Sequence, residues 1–193
     1  MSSSLGTGMA GTVARTTVGI TGLRNLYYIR FGFAVLWAGP MLLTASALGP
    51  VSIALLLIYP LFDVAAAVVD FRTSGTTRQR MLLYINMALS LLATLGMALA
   101  VTSGIPGVLR VWGLWAITAG VVQLIVATSR YRLGGQWAMI LSGGISAVAG
   151  TSFILQAGGA NPSLTSVGGY AALGGVFFLI SAIRLHRRAA EAQ

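Results

Sequence analysis

The chain has no cysteine, so it has no disulfide framework, no thiolate nucleophile and no thiolate metal site. Acidic residues are nearly as scarce: Asp63, Asp70 and Glu191 are the whole complement, and His186 is the single histidine. So few groups supply neither a carboxylate pair spaced for acid–base chemistry nor a histidine cluster. A phosphate-cradling loop and a serine elbow are also missing. These absences argue against an enzyme and leave no cofactor or metal ion to expect. Only 8% of residues are charged, and every basic residue is one of twelve arginines.

What fills the chain instead is apolar material, 56% of residues, together with 25 glycines. No soluble core of this size needs so much. Six hydrophobic runs stand out at 26–47, 51–71, 80–101, 108–129, 136–156 and 164–184. As helices each would be roughly 31–33 Å long at 1.5 Å per residue, enough to cross a hydrocarbon layer of about 30 Å. The runs are continuously apolar and do not alternate as membrane strands do, which predicts helices with their backbone bonds satisfied internally. The expected fold is all-α and polytopic: six transmembrane helices in three repeated hairpins. It divides into a Ser/Thr/Gly-rich segment over 1–25, a membrane domain over 26–187 and a short tail over 188–193.

Orientation follows from the arginines, because basic residues beside short loops stay on the cytoplasmic side. Arg15 and Arg24 precede the first span, Arg72, Arg78 and Arg80 join the second to the third, Arg130 and Arg132 join the fourth to the fifth, and Arg184, Arg187 and Arg188 close the chain. The alternate loops, 44–50, 102–107 and 156–163, carry no charge. Both termini are therefore expected in the cytoplasm, in a plasma (inner) membrane. The formal charge of +9 reads as a collar facing anionic lipid head groups and not as a nucleic-acid surface, which would mass arginine on one face or interleave it with aromatics. His186, among three of these arginines, belongs to the same interfacial patch. Residues 1–25 lack the apolar core of a signal peptide. The stretch from Arg24 to Ala45-Ser46-Ala47 imitates a cleavable signal, but cleavage there would break a repeat that runs through the chain.

That repeat has a period near 56 residues. Arg30, Asn86 and Ser142 occupy equivalent places, as do Tyr59, Trp115 and Tyr170, separated by 56 and 55 residues. Ser142, Ser146 and Gly150 recur every four residues and make a ridge of small side chains suited to close helix approach. Gly168 with Ala172, and Ala171 with Gly175, offer similar grooves. The ridge serves packing between hairpins or, alternatively, a homo-oligomer interface. Pro40 and Pro60 lie inside the first two spans, where a missing backbone donor kinks a helix.

Four side chains inside the spans are costly in lipid and call for partners: Arg30, Asp63, Asn86 and Gln123. Their depths differ by only roughly 6 Å at 1.5 Å per residue. An Arg30–Asp63 ion pair supported by Asn86 or Gln123 is expected, either fixing helix register or serving a proton or ion relay. Arg110, near the opposite mouth of the fourth span, can snorkel to water.

The run Trp115-Ala116-Ile117-Thr118-Ala119-Gly120-Val121-Val122-Gln123-Leu124-Ile125, the Arg130-Tyr131-Arg132 turn and the stretch from Tyr170 to Arg184 resemble the HdeD-type acid-resistance membrane proteins, a bacterial family of short repeated hairpins. The resemblance spans 26–187 and departs from the family pattern at Pro60 and Asp63. It implies a six-helix inner-membrane protein connected with acid or envelope stress, and it carries over no catalytic residue. The expected function is thus a non-enzymatic stress factor, or an accessory subunit packing against another membrane complex. The alternative is a small transporter or proton-conducting channel built on the four polar residues.

Overall fold

Long apolar runs free of internal turn signals favour helix, and helix is what forms. The computed structural model describes residues 3–73 and 77–191, with the side chains of residues 1–20, Thr73, Arg78, Ala189 and Glu191 outside that description. Every regular element among the described residues is helical: α1 (Ser3–Leu43), α2 (Pro50–Thr73), α3 (Thr77–Ala100), α4 (Gly104–Ser129), α5 (Trp137–Gln156) and α6 (Thr165–Glu191), with 3-10 turns at Val101–Ser103 and Tyr131–Leu133. Two ends lie beyond the expected ones. The first helix begins at Ser3 and not near residue 26, since nothing before Pro40 forbids propagation from the apolar part backwards. The last continues past 184 to Glu191 through arginine and alanine, both strong helix formers.

The helices stop where the backbone chemistry changes. Thr44 donates its hydroxyl to Pro40 O at 2.9 Å as α1 ends. Pro50 opens α2 at the first helical position, where a missing N–H leaves no bond unmade. Ser52 Oγ accepts from Gly49 N at 2.9 Å and tightens that turn. Gly104, Gly134 and Gly135 have φ of 74°, 78° and 69°, a left-handed region in which a side chain is strained. α1 and α2 continue through Pro40 and Pro60 as single helices.

Five helical stretches are long and apolar enough to cross a membrane: Thr21–Leu43, Pro50–Arg72, Gln79–Ser129, Trp137–Gln156 and Thr165–Arg188. The third, at 51 residues, contains both α3 and α4. The chain reverses at its 3-10 turn, so that a Cβ on Gly96 of α3 would lie 3.1 Å from Val111 of α4.

Each helix packs on its chain neighbours, and α6 returns to α1, closing a ring of six. The tightest pairs are α4 with α5, α1 with α6 and α2 with α3. These are not the pairs joined by the uncharged loops. Glycine explains the first two. A Cβ on Gly150 would come within 2.5 Å of Gly113 O, and one on Gly120 within 2.8 Å of Gly143 O, so α4 and α5 touch backbone to backbone. Gly168 and Gly175 similarly admit Leu42 and Ala34 of α1. The ridge of Gly150 and Ser146 is therefore occupied by α4 of the same chain, with Gly143 as an added member.

Candidate functional site

Two levels of polar side chains lie in the middle of the ring. At the first, Arg30 of α1 places Nη1 3.2 Å from Asp63 Oδ1 of α2, each side chain about 15–16% exposed. The other carboxylate oxygen accepts from α3, taking Asn86 Nδ2 at 2.7 Å and Ser90 Oγ at 2.8 Å. Trp115 of α4 donates its indole N–H to Ser90 Oγ at 3.0 Å, so one carboxylate organises four helices. The Arg30 guanidinium also sits 5.2 Å from the centroid of the Phe178 ring, a cation–π distance. Gln123, the fourth expected member, lines the same interior but donates to Met139 O of α5 at 3.0 Å. It anchors α4 to α5 and leaves Asp63 to Asn86 and Ser90.

The second level was not foreseen. Arg130, assigned from sequence to a lipid-facing collar, is 4% exposed and grips Asp70 with both nitrogens at 2.8 Å. The reason is geometric: α4 ends at Ser129, the next residue turns inward, and the planar guanidinium matches a carboxylate with two parallel bonds. Burial works against the Arg130 charge, and Asp70 outweighs it, so the guanidinium is held above its ordinary range. The rest of the collar differs. Arg72, Arg80, Arg132, Arg184, Arg187 and Arg188 are exposed; the Arg78 side chain lies outside the described residues. Arg80 stacks on Phe71 and Arg184 on Trp137, at 5.4 and 4.6 Å. The Arg188 guanidinium occupies the space a Cβ on Gly134 would take. Arg24 donates to His186 Nδ1 at 3.3 Å. These contacts bring α1, α6 and the α4–α5 link together at one arginine-rich end of the bundle.

Two chambers adjoin the Arg30–Asp63 pair, of about 70 and 80 Å³. The one nearer the arginine end reaches the Asp70–Arg130 pair and Tyr27. The other is walled by Tyr59, Trp115, Tyr170, Ser142 and Ser146, so positions spaced 56 and 55 apart in the chain converge on one space. Each has room for several waters, since one needs about 10–15 Å³. A cluster of rings adjoins the second chamber, which Tyr59 and Trp115 line. Trp37 and Trp112 stack at 5.5 Å, Trp112 and Trp115 meet edge-on at 5.3 Å, and Tyr59 contacts all three. Trp112 is fully buried. This plug escaped the sequence reading, although Trp112 and Trp115, three residues apart, necessarily share a helix face.

The arrangement can hold water and buried charge at mid-bundle, with the ring cluster between it and the uncharged-loop end. The chain matches no protein-family model, no curated protein and no solved structure.

Proposed function

We infer that this is a non-enzymatic plasma-membrane protein that crosses the bilayer six times as three repeated hairpins, with both termini cytoplasmic, and that acts through contacts with another membrane component. The observation that carries this reading is the ring plug of Trp37, Tyr59, Trp112 and Trp115. It fills the centre of the bundle toward the uncharged loops, which disfavours conduction and leaves the outer, lipid-exposed faces as the working surface. Six crossings are supported by the length of Gln79–Ser129: unbroken, 51 residues would run about 75 Å, far beyond a layer of about 30 Å. The convergence of Tyr59, Trp115 and Tyr170 on one chamber supports the repeat. The resemblance to HdeD-type proteins adds envelope or acid stress as the setting, and the apolar outer faces with their short loops favour an accessory subunit as the working form.

A second reading, a small transporter or proton channel, is favoured by one feature: both chambers meet at Arg30–Asp63. Liposomes with an imposed proton gradient separate the two. The first reading expects flux no greater than in protein-free vesicles, and repeated recovery of one membrane complex in gentle-detergent pull-downs. Proton flux by the wild type that Asp63→Asn abolishes would replace it with the second.

A further inference from the structure

The ring is uneven. α5 and α6, joined by an uncharged loop, pack far less closely than α4 and α5, and between them lies a notch of about 10 Å³ at Ile145, Leu173, Gly174 and Phe177. Its inner wall is Ser142, Ser146 and Tyr170, which also line the chamber beside Arg30–Asp63. The polar interior and the notch thus share one thin wall between α5 and α6, bordered by Gly174, whose Cβ position is empty within 4 Å.

The chamber's chemistry specifies what suits it. Arg30 Nε is buried and has no hydrogen-bond partner, so a donor is available. Tyr170 donates its hydroxyl to Ser146 Oγ at 2.8 Å and keeps its own oxygen free to accept. Asp63 already balances the Arg30 charge at 3.2 Å, so a charged head would be desolvated without a net counter-charge. A donor on Arg30 and an acceptor on Tyr170, both residues lining one space of about 70 Å³ whose charges already balance, match a small uncharged hydroxyl.

We propose that this chamber binds the hydroxyl head of an uncharged, long-chain amphiphile dissolved in the bilayer, admitted between α5 and α6 past Gly174 while its tail remains among the lipids. The buried donor gains a partner, and the apolar tail never leaves hydrocarbon.

The test uses the full chain in nanodiscs with a diazirine-bearing long-chain alcohol, illuminated and mapped by peptide mass spectrometry. Labelling is expected on the Ser142, Ser146 and Tyr170 walls and should be displaced by excess unlabelled alcohol. Gly174→Leu fills the notch and should lower it about tenfold, equivalent to about 1.4 kcal/mol. Gly169→Leu, on the same helix with its Cβ position equally empty, should leave it unchanged. A fatty acid or an alkylammonium of the same length should compete poorly. Labelling equal in both leucine variants, or unsaturable labelling spread over the exposed faces, overturns the proposal and leaves a chamber that holds water only. Displacement by unlabelled alcohol decides the matter on the wild type even if Gly174→Leu does not fold.

Discussion

Asp70 and Arg130 are 60 residues apart in the chain and joined by two parallel hydrogen bonds of 2.8 Å. The pair ties the end of α2 to the end of α4 across the ring and floors the chamber beneath Arg30. Removing one partner takes the bidentate counter-charge from a buried ion, a change that costs about 3–5 kcal/mol. Asp70→Asn and Arg130→Gln should each lower the thermal midpoint in detergent markedly, and the double variant Asp70→Asn/Arg130→Gln should be less destabilised than the sum of the two. Strict additivity in that cycle would show that the two groups are not coupled.

Asp63 collects bonds from Arg30, Asn86 and Ser90. Asp63→Asn keeps a similar shape and strands the Arg30 guanidinium, so it should cost more than Ser90→Ala, which removes one donor to the carboxylate, worth about 1.5–3 kcal/mol, and the acceptor of the Trp115 N–H. Chemical or thermal unfolding in detergent orders the two. A Ser90→Ala loss as large as that of Asp63→Asn would refute the ranking.

Glycine positions divide sharply. Gly113→Ala or Gly150→Ala places a methyl 2.5 Å from a facing carbonyl oxygen and should destabilise by about 1–3 kcal/mol as the helices part. Gly39→Ala and Gly144→Ala meet nothing within 4 Å and should gain up to about 1 kcal/mol from helix propensity. The same unfolding assay checks both pairs.

The aromatic plug predicts a leak on removal. Trp112→Ala vacates the fully buried centre of the ring stack, and proton permeability of reconstituted liposomes should rise above that of the wild type. An unchanged permeability in a folded variant would mean that another layer seals the interior.

Much of this was legible in the sequence. The helical runs came from continuous hydropathy, and the meeting of Arg30, Asp63 and Asn86 from similar depths on consecutive antiparallel helices. Gln123 has a similar nominal depth, yet the close glycine contact of α4 with α5 puts Met139 O nearer to it than Asp63. The Asp70–Arg130 bond was hidden because both residues fall at span ends, where arginine ordinarily snorkels outward; only ring closure brings those ends together. The partner of the Ser142, Ser146 and Gly150 ridge did leave a trace. Gly113 and Gly120 on α4 repeat the seven-residue spacing of Gly143 and Gly150 on α5. The extension of α1 to Ser3 left none, since Ser, Thr and Gly suggested an end that neighbouring helix overrode.

A chain without cysteine offers a clean background for the most direct test of the membrane arrangement: single cysteines at Ser46, Ser103, Asn161, Arg132 and Ala190, probed with a membrane-impermeant maleimide on intact cells. Cysteines replacing Ser46, Ser103 and Asn161 should label from outside, and those replacing Arg132 and Ala190 only after permeabilisation. External labelling at Arg132 or Ala190, or protection of Ser103, would contradict six crossings with the arginines inside.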